Sequence, residues 1–107
     1  MPAYEPLRAG ANGLNDERRL SVVGALDQKT APDVRAVLHD EIAASAGEVI
    51  VVDCAGMSFI DSTGLGVLVG ALKVARQCGG DLRVEGLRPP ARKVFEITRL
   101  TKVFGLG

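Results

Sequence analysis

The run EVIVVD, residues 48–53, limits the possible folds more than any other stretch of this chain. Residues 49–52 are four consecutive β-branched apolar side chains. That is too short for a helix, and it lacks the alternation of a strand with one wet face. Such a run is the pattern of a strand covered on both faces, as in a parallel sheet under helices.

The flanking segments alternate accordingly. Upstream, residues 3–24 read as two strands around a turn, with Asn12-Gly13 as the turn signal and Gly24 as the end of the second strand. ALDQKT then reads as a short loop. Thr30 is a candidate helix N-cap, with Pro32 in the first turn and Asp33 three residues on. That helix is predicted to run to about Ala46, bury Val34, Val37, Leu38 and Ile42, and stop at Gly47. Downstream, a second helix starts near residue 62 and stops at Gly79-Gly80, and LRVEG is a further strand. Pro89-Pro90 opens a last helix through about Thr98, and LTKVFGLG reads as a short edge strand.

The order is β-β-α-β-α-β-α, an α/β class with a small, mostly parallel sheet and an antiparallel N-terminal edge strand. The chain of 107 residues fits a single domain, residues 1–107, with no repeat or linker. A formal net charge of +0, no Trp, one Tyr and three Phe argue against a nucleic-acid surface. No apolar run approaches a membrane span and no leader pattern opens the chain, so the expected location is the cytoplasm. Cys54 and Cys78 form no metal-ligand spacing and read as buried, inert thiols. No metal or cofactor site is expected.

In open α/β sheets, ligands and partners meet the edge where strands end and helices begin. Three loops share that edge in this reading: residues 24–31, 54–62 and 86–90. Asp27, Thr30, Ser62, Thr63 and Arg88 should therefore cluster. The stretch FIDSTGLGVLVGALKVA, residues 59–75, leads into the second helix. Asp61 or Ser62 caps it. Helical spacing sets Val67, Gly70 and Val74 opposite Leu65, Leu68 and Leu72. Gly64, Gly66 and Gly70 each cost about 1 kcal/mol of helix stability relative to Ala. Gly64 fits the strand-to-helix turn, whereas Gly66 and Gly70 lie four apart on one face. Two readings stand: a docking face headed by exposed hydroxyls, or a face covered by another helix of the same domain.

VVDCAGMSFIDSTGLGVLVGALKVARQCGGDLRV closely resembles the central segment of STAS domains, and among them the bacterial anti-sigma factor antagonists. VVGALDQKTAPDVRAVL resembles the family's second strand, loop and first helix, and RKVFEITRLTKVF its C-terminal helix and tail. The resemblance implies a protein that binds a kinase-type anti-sigma factor, a serine kinase of the histidine-kinase-like ATPase type. Its unphosphorylated form releases the sigma factor, phosphate on Ser62 switches binding off, and a cognate phosphatase resets it. Thr63 is the alternative acceptor. Implied partner-binding positions are Asp27, Thr30, Asp61, Ser62, Thr63, Gly64, Gly66, Val67 and Gly70. One position departs: Ala25 stands where the family often has an acidic residue, so no contact is carried over there.

Enzyme patterns do not fit. The glycines are not followed by GK[ST], and DSTGLG is not G-x-S-x-G. The single histidine, His39, reads as a solvated helix residue out of reach of Ser62. Asp53 ends a central strand like a receiver aspartate, but no acidic pair accompanies it, and it reads as a loop-stabilising residue. Arg88, Arg92, Lys93 and Arg99 read as the solvated face of the last helix. A second class of role is a non-switching STAS accessory or scaffold subunit of a transporter or stress-signalling complex, docking through the same helix face.

Overall fold

A computed structural model describes residues 4–7, 17–45 and 47–106. Strand β1 (Tyr4–Leu7) pairs antiparallel with β2 (Glu17–Val22). The expected Asn12-Gly13 turn lies outside the described residues; the first helix, expected to run to about Ala46, ends at Ala44 with Ser45 at its C-cap. After β2 come a short strand β3 (Gly24–Leu26) and helix α1 (Ala31–Ala44). The inner strand β4 (Val49–Asp53) follows, then a second short strand, β5 (Met57–Ile60). Helix α2 (Ser62–Gln77), strand β6 (Asp81–Glu85) and helix α3 (Pro89–Ile97) complete the fold.

The main sheet has the order β1-β2-β4-β6, with β4 parallel to both neighbours. In register, Leu20, Val52 and Val84 lie side by side, as do Ile50 and Leu82. These side chains join Val34, Leu38 and Ile42 of α1 and Leu65, Leu68, Ala71 and Leu72 of α2 in one apolar core. The α/β class, the three helices and the antiparallel edge strand are as the sequence predicts.

Three details differ. First, the β4 run is not covered by helices on both faces. Alternation sets Val51 on the face away from the apolar core, and its register neighbours there are Arg19 and Arg83. Val51 is nevertheless fully buried, flanked by these long side chains. The neighbouring Arg19 pairs with Glu85 at 2.9 Å. Four β-branched residues in a row therefore serve one helical layer and one charged face.

Second, the stretches read as loops around residues 24–26 and 57–60 pair as a parallel two-stranded ribbon, β3–β5. Gly24, at φ +81°, bends the chain out of β2, and its N–H donates to the Gly56 carbonyl at 2.9 Å. Third, residues 101–105 form turns rather than an edge strand. Arg99 adopts φ +61°, and the Phe104 N–H donates back to the Leu100 carbonyl. Phe104 is buried edge-on against Phe95, with ring centroids 5.5 Å apart. Its carbonyl accepts from the Val84 N–H on the outer side of β6.

Candidate functional site

The ribbon β3–β5 feeds both α1 and α2, so the two loops that leave it meet. The first is built on Asp27. Its Oδ1 accepts the backbone N–H groups of Lys29 at 3.0 Å and Thr30 at 3.1 Å. These bonds hold the Asp27 carboxyl below its ordinary range, the Thr30 N–H contributing most. Thr30 occupies the cap position of α1 but does not cap it through its side chain. Its Oγ1 instead accepts the Asp27 N–H and donates to the Ala25 carbonyl at 2.7 Å, closing the loop on itself.

The second loop is built on Asp61. Its backbone is extended, and its Oδ1 accepts the Gly64 N–H at 2.8 Å, so Asp61 rather than Ser62 caps α2. The other carboxylate oxygen accepts the Gln28 N–H of the first loop at 3.2 Å. The Asp61 N–H donates to the Leu26 carbonyl at 3.3 Å. One carboxylate thus fixes both loops and the start of the helix. Gly64 is buried where a Cβ would stand 2.2 Å from the Leu26 carbonyl oxygen. Only glycine lets α2 begin this close to β3.

Ser62 and Thr63, the first two residues of α2, are exposed. Beyond them the helix shows two faces. Leu65, Leu68, Ala71, Leu72 and Ala75 are buried. Val67, Gly70 and Val74 are half-buried, and a Cβ on Gly66 or Gly70 would meet nothing within 4 Å. A groove of about 390 Å³ runs here, lined by Thr63, Gly66, Val67, Gly70 and Val74 of α2 and by Arg35 and His39 of α1. No helix backbone crowds the glycines, although α1 forms the opposite wall.

The expected cluster is divided. Asp27, Thr30 and Asp61 are joined through hydrogen bonds, with Ser62 and Thr63 following directly. Arg88 belongs elsewhere: its Nε donates to the Ala55 carbonyl at 2.9 Å. Asp53 stabilises the same region by accepting the Ala55 N–H at 2.9 Å. Among the described residues, neither Arg88 nor Asp53 is hydrogen-bonded to the Asp27 or Asp61 loop.

Several other expectations change. His39 is half-buried and lines the groove rather than standing free in solvent. Arg35 carries no signal in the sequence, because its relation to α2 is tertiary. Arg88 and Arg92 hold backbone carbonyls, so the basic side chains of α3 are not merely solvated. Cys54 is buried, and burial pushes its thiol up to about 12, the adjacent Asp53 adding to the rise. Cys78, expected to be buried, is exposed because it sits at the C-cap of α2. Among the described residues, no helix is long and apolar enough to cross a membrane.

Residues 12–107 match the STAS domain family. The chain is 39% identical to the anti-sigma-B factor antagonist of Listeria monocytogenes, over 82% of this chain and 76% of that one. An anti-sigma factor antagonist from Mycobacterium paratuberculosis superposes with a TM-score of 0.72 and 26% identity, covering 94% of this chain and 82% of that one. The phosphorylated form of the Bacillus cell fate determinant SpoIIAA gives a TM-score of 0.71 at 23% identity, over 94% and 86% of the two chains.

Proposed function

This chain belongs to the STAS domain family, and we propose that it is an anti-sigma factor antagonist switched by phosphate on Ser62. The unphosphorylated domain binds a kinase-type anti-sigma factor, which then releases its sigma factor. The kinase activity of that partner modifies Ser62, and a phosphatase restores the binding form.

The observation that carries this reading is the exposed Ser62 at the first position of a helix, immediately beside an open, half-apolar groove. Phosphate there adds about −1.5 to −2 charges. The N-terminus of α2 favours such charge through its free N–H groups and dipole. Asp61 keeps its cap because both its oxygens are already engaged by Gly64 and Gln28. The fold therefore tolerates the phosphate, while a partner covering Ser62, Thr63, Gly66, Val67 and Gly70 meets new charge at its interface. Asp27, Thr30 and Gly64 support this surface from behind, through the loop bonds and the tight helix start.

The test combines intact-mass analysis with binding to the purified anti-sigma factor. Wild-type protein incubated with the kinase and ATP is expected to gain one phosphate and to lose affinity at least tenfold, roughly 1.4 kcal/mol. Ser62→Ala is expected to bind but gain none. Full phosphate incorporation in Ser62→Ala moves the acceptor to Thr63 or beyond. A large fall in melting temperature with binding unchanged makes Ser62 a structural residue instead.

A further inference from the structure

We propose that Arg35, with His39 beside it, forms a basic lip on the groove and that its guanidinium receives a carboxylate of the anti-sigma factor. Apolar side chains of the partner sit beside it on Val67, Gly70 and Val74. This inference rests on the antagonist reading above and adds the charge that the partner must bring.

Arg35 and His39 are four residues apart on α1 and so share one helix face. Both line the groove opposite α2. No carboxylate lines it; Asp40, next to His39, lines an adjoining hollow that Arg35 and His39 also border, with Pro32 and Ala36. The state of Arg35 separates it from most other arginines among the described residues, Arg99 excepted. Arg18, Arg76 and Arg92 pair with Glu48, Asp81 and Glu96, and Arg88 holds the Ala55 carbonyl. Arg35, by contrast, makes no ion pair or hydrogen bond among the described residues. Its guanidinium keeps all its donors for an outside acceptor, in a fork that matches a carboxylate.

The position of the lip also bears on the switch. Strands β3 and β5 are parallel, and each leads into its helix, so α1 and α2 run the same way from the ribbon. Arg35, near the start of α1, therefore faces the Thr63 end of the groove. Phosphate on Ser62 arrives at that end. It repels the partner's carboxylate and competes with it for Arg35, so one added group removes two sources of attraction.

Binding of the purified cognate anti-sigma factor to wild type, Arg35→Glu, Arg35→Lys and Lys73→Glu tests the proposal, by calorimetry at low and high salt. Lys73 is exposed on α2 outside the groove and controls for general charge effects. Arg35→Glu is expected to weaken binding at least tenfold, with Arg35→Lys in between and Lys73→Glu within about twofold of wild type. The loss in Arg35→Glu should be larger at low salt. Unchanged melting of Arg35→Glu, whose side chain is exposed, confirms that the loss is one of contact. Equal effects of Arg35→Glu and Lys73→Glu overturn the lip and leave the antagonist reading standing. Failure of wild type to bind the anti-sigma factor overturns both.

Discussion

Three glycines in one helix are expected to respond to alanine in opposite directions. At Gly64 an added Cβ would stand 2.2 Å from the Leu26 carbonyl oxygen and 2.8 Å from its Cγ. A carbon–oxygen contact needs roughly 3.3 Å, so α2 must retreat by about 1 Å. The obstacle is backbone, which puts the overpacking cost near the upper end of about 1–3 kcal/mol. Retreat also stretches the bond from the Asp61 N–H to the same Leu26 carbonyl, worth about 1 kcal/mol. Better helix propensity returns about 1 kcal/mol. The net loss for Gly64→Ala is therefore about 2–3 kcal/mol. At Gly66 and Gly70 the added carbon meets nothing within 4 Å, so only the propensity gain of about 1 kcal/mol remains. Urea unfolding of the three variants at 25 °C measures these differences, and melting temperatures should separate by roughly 4–8 °C per kcal/mol. The same Gly66→Ala and Gly70→Ala proteins, though more stable, are expected to bind the anti-sigma factor less well, because the groove floor rises. A Gly64→Ala protein within about 0.5 kcal/mol of wild type would refute the close-approach argument. Destabilised Gly66→Ala and Gly70→Ala proteins would make that face part of the core.

Asp61→Ala removes the α2 cap and the tie to Gln28, and is expected to cost about 1–2 kcal/mol in denaturant unfolding; Asp61→Asn, which keeps a capping oxygen, should lose less than half of that. Equal losses in the two would show that the cap is not what Asp61 supplies. The Asp27 carboxyl is held below its ordinary value of 3.8, so its loop bonds contribute fully above that value and weaken as pH falls through it toward the lower folded value. Amide exchange at Lys29 and Thr30 is expected to accelerate over that window beyond its intrinsic pH trend, and the effect should vanish in Asp27→Asn; no difference between the two proteins would discount the carboxylate.

Most of the sheet and all three helices could be read from the sequence, because β2, β4, β6 and the helices have enough residues to show an alternation, an apolar run or a start and stop signal. The β3–β5 ribbon could not. Strands of three and four residues, GAL and MSFI, carry no usable period, and they exist because they pair with each other across 30 residues of sequence. At the site, the Asp-Ser-Thr-Gly string announced a helix start, and the structure distinguishes Asp61 as the cap. The reason for Gly64 is a contact with Leu26, which no local pattern records. Arg35 and His39 sit on a different helix from the string, and a guanidinium without a partner among the described residues is visible only once its neighbours have positions. The exposure of Cys78 is hidden for a similar reason: apolar neighbours in sequence say little about the last position of a helix, where the chain turns outward.

The turn at residues 101–105 has a consequence for self-association. A sheet whose outer strand shows unpaired N–H and C=O groups invites a strand from another molecule, the first step toward aggregation. Here the chain's own tail comes round to β6: the Phe104 carbonyl takes the Val84 N–H, and the Phe104 ring anchors the tail edge-on against Phe95 in the core. Cutting the chain before Phe104 would strip that cover and leave a gap beside Phe95 in the same stroke. The truncated protein would be prone to add strands of its neighbours along β6, and its defect would show as concentration-dependent polymerisation.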